Sequence, residues 1–105
     1  MQHTNMIQLY LPLYDPEGKA FPESVYEGIK KELTEKFGGL TMYTRSPAEG
    51  LWKENPQKTV KDDILIYEVI TPELDQDFWP AYKEKLKKKF KQEELLIRCA
   101  SITIV

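Results

Sequence analysis

The chain has 105 residues, enough for one domain with a modest apolar core. Apolar residues make up 41% and charged residues 30%, which excludes a disordered chain, and a net charge of −2 excludes a general polyanion binder. One cysteine, Cys99, excludes an internal disulfide, and no stretch approaches the ~20 apolar residues of a membrane span. No N-terminal apolar run has signal-peptide form, so a cytoplasmic, reducing setting is the expectation.

Met1 to Asn5 is polar and reads as a frayed end. Met6 to Tyr14 reads as the first strand, with Ile7, Leu9, Leu11 and Leu13 alternating against Gln8, Tyr10, Pro12 and Tyr14. Pro12 belongs at the strand's end, at a bulge, or where its missing N–H would face no partner. Asp15-Pro16-Glu17-Gly18 has turn chemistry. Phe21 to Phe37 reads as a helix, with Pro22 in its first turn and one stripe of Val25, Ile29, Leu33 and Phe37. Gly38 is the expected left-handed stop.

Leu40 to Arg45 predicts a second strand, with Tyr43 and Arg45 on one face. Ser46 to Lys61 predicts a β-arm or lid with its tip at Asn55-Pro56. Asp62 to Ile70 predicts a third strand: Ile64, Ile66, Glu68 and Ile70 share one face, and Leu65, Tyr67 and Val69 the other. Thr71-Pro72 has the form of a helix start. Pro80 inside a helix would cost about 3 kcal/mol. A short turn over Pro72 to Asp75, then a helix capped by Asp77, puts Pro80 in the first turn instead. Phe78, Tyr82, Leu86 and Phe90 then form the buried stripe. Leu95 to Val105 predicts the last strand, alternating Ile97, Cys99, Ser101, Thr103 and Val105 against Arg98, Ala100, Ile102 and Ile104.

The element order is β-α-β-β-α-β over a single domain, residues 1–105. Right-handed crossovers make the first and third strands central and give an α+β, ferredoxin-like, four-stranded antiparallel sheet. Both helices then cover one face. Tyr10, Tyr14, Tyr43, Tyr67, Ile102 and Ile104 are candidates for the other, and apolar residues there predict a homo-oligomer through the open sheet face.

The order and the run FGGLT…GLW…V…EV…Y…FKQE resemble a group of small bacterial ferredoxin-like proteins without an established activity. GGLT opening the second strand, and the long stretch before the third, resemble the PII-like signalling proteins more loosely. That resemblance implies a trimer with ligands in clefts beside the long loop, although the basic adenylate-binding pattern of that group is absent. The dimeric α+β barrel group, which includes small monooxygenases, is similar in topology. Fold-level likeness does not fix function.

The candidate ligand-binding residues are Tyr43, Arg45, Glu49 and Trp52, with Lys61 and Asp62 nearby. Arginine presents a planar fork to a carboxylate or phosphate, and tryptophan a stacking wall. The set suits a small anionic or aromatic ligand. The competing reading is an Arg45–Glu49 ion pair with Trp52 as an interface anchor. Glu68 among isoleucines suits a general base; a pairing with Arg98 or Arg45 is the blander account. Asp62 and Asp63 point to opposite faces and make no dyad.

His3 is the only histidine and lies in the polar end, so no metal, haem or histidine-based catalytic site is expected, and no cofactor. Cys99 reads as a buried structural thiol. The lysines of Lys83 to Lys91 read as a solvated helix face rather than a nucleic-acid surface. The expectation is a homo-oligomeric domain that binds a small ligand or protein partner near residues 43–52, with no catalytic residues assigned. The alternative is a small cofactor-free enzyme using Glu68 or Tyr43, with Arg45 stabilising charge.

Overall fold

The computed structural model describes residues 1–45 and 64–105. The elements run β1 (Gln2–Pro12), α1 (Glu23–Phe37), β2 (Thr41–Arg45), β3 (Ile64–Thr71), α2 (Phe78–Lys89) and β4 (Ile97–Ile104). The sheet is antiparallel in the order β2-β3-β1-β4, which is the ferredoxin-like arrangement with β1 and β3 central. The β-arm expected between β2 and β3 lies outside the described residues.

β1 starts earlier than its hydrophobic alternation suggests. Gln2 to Asn5 pair with Ile104 to Ser101, so the polar end is strand rather than fray, and Thr4 is only 5% exposed. Long-range pairing, not local pattern, sets this boundary. The even-numbered residues of β1 turn their backbone groups toward β4, as the Tyr10 N–H to Leu96 carbonyl bond of 2.9 Å shows. Pro12 falls past the end of that ladder, where no N–H is required, and its carbonyl accepts from the Tyr26 hydroxyl at 2.6 Å.

The α1 stripe packs as its spacing requires. Ile29 and Leu33 are buried, with Val25 and Phe37 packed against the core beside them. Pro22 is the N-cap rather than a first-turn residue, so its fixed φ precedes the helix. Gly38 ends the helix at φ 82°, donating to the Thr34 carbonyl at 2.8 Å.

Thr71 closes β3 rather than capping a helix; it is paired opposite Asn5. α2 begins after Asp77, and Pro80 falls in the first turn, where its missing N–H costs little. The capping is done two residues earlier than expected. The Asp75 carboxylate accepts from the amides of Asp77 (3.0 Å) and Phe78 (2.9 Å), while Asp77 makes no side-chain cap. Those amides hold the Asp75 carboxyl below its ordinary range.

One core joins both helices to one sheet face. Ile7, Leu9 and Leu11 of β1 and Tyr67 and Val69 of β3 meet Ile29 and Leu33 of α1 and Trp79, Tyr82 and Leu86 of α2. Phe37 stacks on Trp79 at 5.3 Å, and Phe78 on Tyr82 at 5.0 Å. Tyr67, a candidate for the open face, belongs to this core instead. Its hydroxyl reaches the Tyr26 carbonyl at 3.3 Å, so the polar tip is satisfied between β3 and α1. Cys99 is exposed, not buried, because β4 is an edge strand whose helix-side row the core barely reaches.

Candidate functional site on the open sheet face

The face left by the helices carries Met6, Gln8 and Tyr10 of β1, Ile64, Ile66, Glu68 and Ile70 of β3, and Arg98, Ala100, Ile102 and Ile104 of β4. Alternation along each strand puts them there, opposite the core residues. Ile70 is 41% exposed and Ile104 43%, while Ile66 is buried. One row of this apolar face is polar. Thr41 stands opposite Glu68, Glu68 opposite Gln8, and Gln8 opposite Arg98, so a single line crosses all four strands.

Three members of that line are hydrogen-bonded in sequence. The Gln8 amide nitrogen donates to a Glu68 carboxylate oxygen at 2.9 Å. Arg98 Nε donates to the Gln8 amide oxygen at 2.8 Å, and the Tyr10 hydroxyl reaches the same oxygen at 3.4 Å. The guanidinium carbon lies 5.1 Å from the centre of the Tyr10 ring, a cation–π placement. Gln8 serves both neighbours. A carboxylate needs a donor, a guanidinium needs an acceptor, and a primary amide offers one of each. The two charges fix which way the amide points.

Glu68 is therefore linked to Arg98 through Gln8 rather than directly. The arrangement holds a carboxylate, an amide, a guanidinium and a phenol on a plane of about two strand spacings. Such a plane can hydrogen-bond hydroxyls at Glu68 and stack a flat ring beside Tyr10 and Arg98. Sequence reading passed over Gln8. The available signal was its place as the one amide in a strand otherwise apolar or aromatic from Met6 to Tyr14.

Of the sequence-predicted set, Tyr43 and Arg45 lie in β2, registered opposite Ile66 and Ile64 of β3. Glu49 and Trp52, like Lys61, Asp62 and Asp63, lie outside the described residues. The register thus brings the β2 pair alongside the strand that carries Glu68. His3 sits in β1, with its ring Nδ1 3.3 Å from the Thr103 hydroxyl. Among the described residues, no three His, Cys, Asp or Glu side chains cluster as a metal site, and no helix is long and apolar enough to cross a membrane.

A separate cleft of about 510 Å³ opens on the helix side, between the start of α2 and β4, lined by Leu74, Asp75, Trp79, Lys83, Ile97 and Cys99 among others. Its carboxylate is already engaged in capping α2. The Cys99 thiol faces Asn5 Oδ1 at 3.8 Å.

No family model and no curated protein matches the chain. Among solved structures it is similar to a phage SAM lyase in complex with S-methyl-5'-thioadenosine, at 13% identity and a TM-score of 0.54. The superposition covers 96% of this chain and 90% of that one. At this identity the likeness is one of fold, and it extends over the α+β architecture from end to end.

Proposed function

We propose that this chain is a self-associating ferredoxin-like domain that binds a small ligand on its open sheet face. The Glu68–Gln8–Arg98 row is the floor of the site, and Tyr43, Arg45, Glu49 and Trp52 supply the rest. The observation that carries this reading is the hydrogen-bonded polar row, set in register across a face that the helices leave uncovered. A polar line in an apolar surface is the composition of a ligand site, where a few placed polar groups orient an otherwise apolar contact. A second copy closing over Ile70, Ile102 and Ile104 would desolvate the row and strengthen its hydrogen bonds.

The solved neighbour was captured with a thioether nucleoside, S-methyl-5'-thioadenosine. That ligand has a flat purine, ribose hydroxyls and an apolar tail. The Tyr10–Arg98 pair suits the first, Glu68 and Gln8 the second, and the isoleucines the third. Calorimetric titration with S-methyl-5'-thioadenosine tests the fit. Saturable heat is expected from the native chain, reduced at least about tenfold in affinity, or about 1.4 kcal/mol, by Arg98→Ala or Glu68→Ala. Cys99→Ala, on the other face, leaves it unchanged. Equal affinity in all four proteins, or no heat from the native chain, rejects the site.

The second reading is catalytic, with Glu68 as a proton acceptor. It is favoured by the position of that carboxylate between Ile66 and Ile70, and by its fixed orientation on Gln8. The neighbour's own description as a lyase motivates the assay. Glu68 would take a proton from the carbon next to the sulfonium-bearing carbon of the amino-acid chain. A carbon–carbon double bond would form there, and the carbon–sulfur bond would break. Incubation with SAM should then release S-methyl-5'-thioadenosine and 2-aminobut-3-enoate with the native chain and not with Glu68→Gln. No release by the native chain removes this reading and leaves ligand binding standing.

A further inference from the structure

β4 is exposed on both faces and, among the described residues, has one unpaired edge. The ladder to β1 uses the backbone groups of Leu96, Arg98, Ala100, Ile102 and Ile104, as the Tyr10–Leu96 bond fixes by alternation. The N–H and C=O groups of Ile97, Cys99, Ser101 and Thr103 therefore point outward, away from the sheet. β4 is the terminal strand in the order, so no strand of this chain stands beside them among the described residues.

Edges of this kind are normally blunted with lysine, proline, a bulge or short length. β4 has none of these. It is eight residues long and pairs with β1 without interruption. Its one charge is Arg98, and Cys99 to Ile104 contains no charge, proline or glycine. Ile97, Ile102, Thr103 and Ile104 are β-branched. The opposite edge differs: β2 is five residues long and ends in Arg45.

We infer that the β4 edge pairs with the β4 edge of a second copy, antiparallel about a two-fold axis near Ala100 and Ser101, joining two sheets into one. A strand is what the outward backbone groups demand, because only extended backbone satisfies alternate N–H and C=O groups along a line. A second copy is what the side chains fit. An axis at the strand's middle uses its whole length and sets Arg98 against an uncharged position, Ile102 or Ile104, of the partner strand. No like charges meet. A two-fold contact also closes on itself, so assembly stops at this edge instead of growing into a filament. This interface runs along the β4 edge rather than over the open sheet face, and it keeps the hydrogen bonds of the Glu68–Gln8–Arg98 row within each copy.

Single-cysteine variants test the pairing. In a Cys99→Ser background, Ala100→Cys and Ser101→Cys each place a thiol next to the axis. Cross-strand Cα separations of about 4.5–5.5 Å lie within disulfide reach. Mild oxidation should convert most of at least one variant to a covalent dimer, at low concentration and without loss of far-UV dichroism. In parallel, the Ser101→Lys/Thr103→Lys double variant adds charge at two exposed edge positions. Light scattering should report half the native mass, while heat with S-methyl-5'-thioadenosine, if the native chain gives any, persists. A native chain that is monomeric at about 100 μM overturns the inference and leaves the edge to a strand of another protein. So does an unchanged mass in the lysine variant, or failure of both cysteine variants to cross-link.

Discussion

Gln8 and Glu68 stand directly opposite each other on β1 and β3, and the Gln8 amide donates to the Glu68 carboxylate at 2.9 Å. The same amide accepts from Arg98 on the far side. One uncharged side chain thus couples an acid and a base across three strands. Gln8→Met keeps the length of the side chain and removes both ends of the bridge. The expected cost is about 1–2 kcal/mol, since a charged acceptor loses its donor in a half-buried setting. Urea unfolding of Gln8→Met, Glu68→Met and the double variant should give a coupling energy of opposite sign to the summed losses. Strict additivity contradicts the bridge.

Leu33 and Leu86 are fully buried, one on each helix, and belong to the same core cluster. Leu33→Ala or Leu86→Ala should each cost about 2–5 kcal/mol, from lost transfer energy plus the cavity left behind. In a chain of this size that approaches the whole stability. Equilibrium denaturation checks it; a loss below about 1 kcal/mol at both sites contradicts the single shared core.

Burial pushes the Tyr26 phenol up to about 12, with Tyr67 adding to the shift. Tyr67 and Tyr82 are also raised, chiefly by burial. The folded chain therefore holds these protons more tightly than the unfolded one. Their stabilisation is complete below the ordinary tyrosine value of about 10 and is lost as pH rises toward the folded values. Absorbance at 295 nm should show exposed tyrosines titrating first, then a cooperative step as unfolding releases the buried ones. A single titration near the ordinary value, with the fold retained, contradicts the packing.

Asp75 is lowered by the Phe78 and Asp77 amides it caps. Its contribution is present above the ordinary carboxylate value and lost as pH falls through the lower folded value. Asp75→Ala should melt earlier than the native chain at neutral pH, and the two melting curves should converge in acid. A difference that is independent of pH assigns the effect to something other than the cap.

Much of this fold is legible in the residues. The four-residue spacing of Val25, Ile29, Leu33 and Phe37 and the glycine after it define α1 closely. Pro80 is compatible with α2 only if the helix starts near Asp77, and that is where it starts. The misses share a cause. Gln2 to Asn5 are strand because Ser101 to Ile104 lie beside them, and no local pattern carries that information. Tyr67 and Glu68 sit on a strand apolar on both faces, so alternation separates the faces without saying which is covered. Gln8 has no chemical signature until register places it between Glu68 and Arg98. Cys99 reads as core by its alternation with Ile97, yet edge position exposes it. The half of the predicted site at Glu49 and Trp52 lies outside the described residues.

The proposed seat of the small ligand is the polar row on the sheet face that the helices leave open. Amide and side-chain NMR shifts during titration with S-methyl-5'-thioadenosine read it most directly. The largest saturable shifts are expected on Gln8, Tyr10, Glu68 and Arg98, with little change at Leu74, Lys83 and Cys99 around the helix-side cleft. Shifts concentrated at that cleft, or none anywhere at millimolar ligand, contradict it.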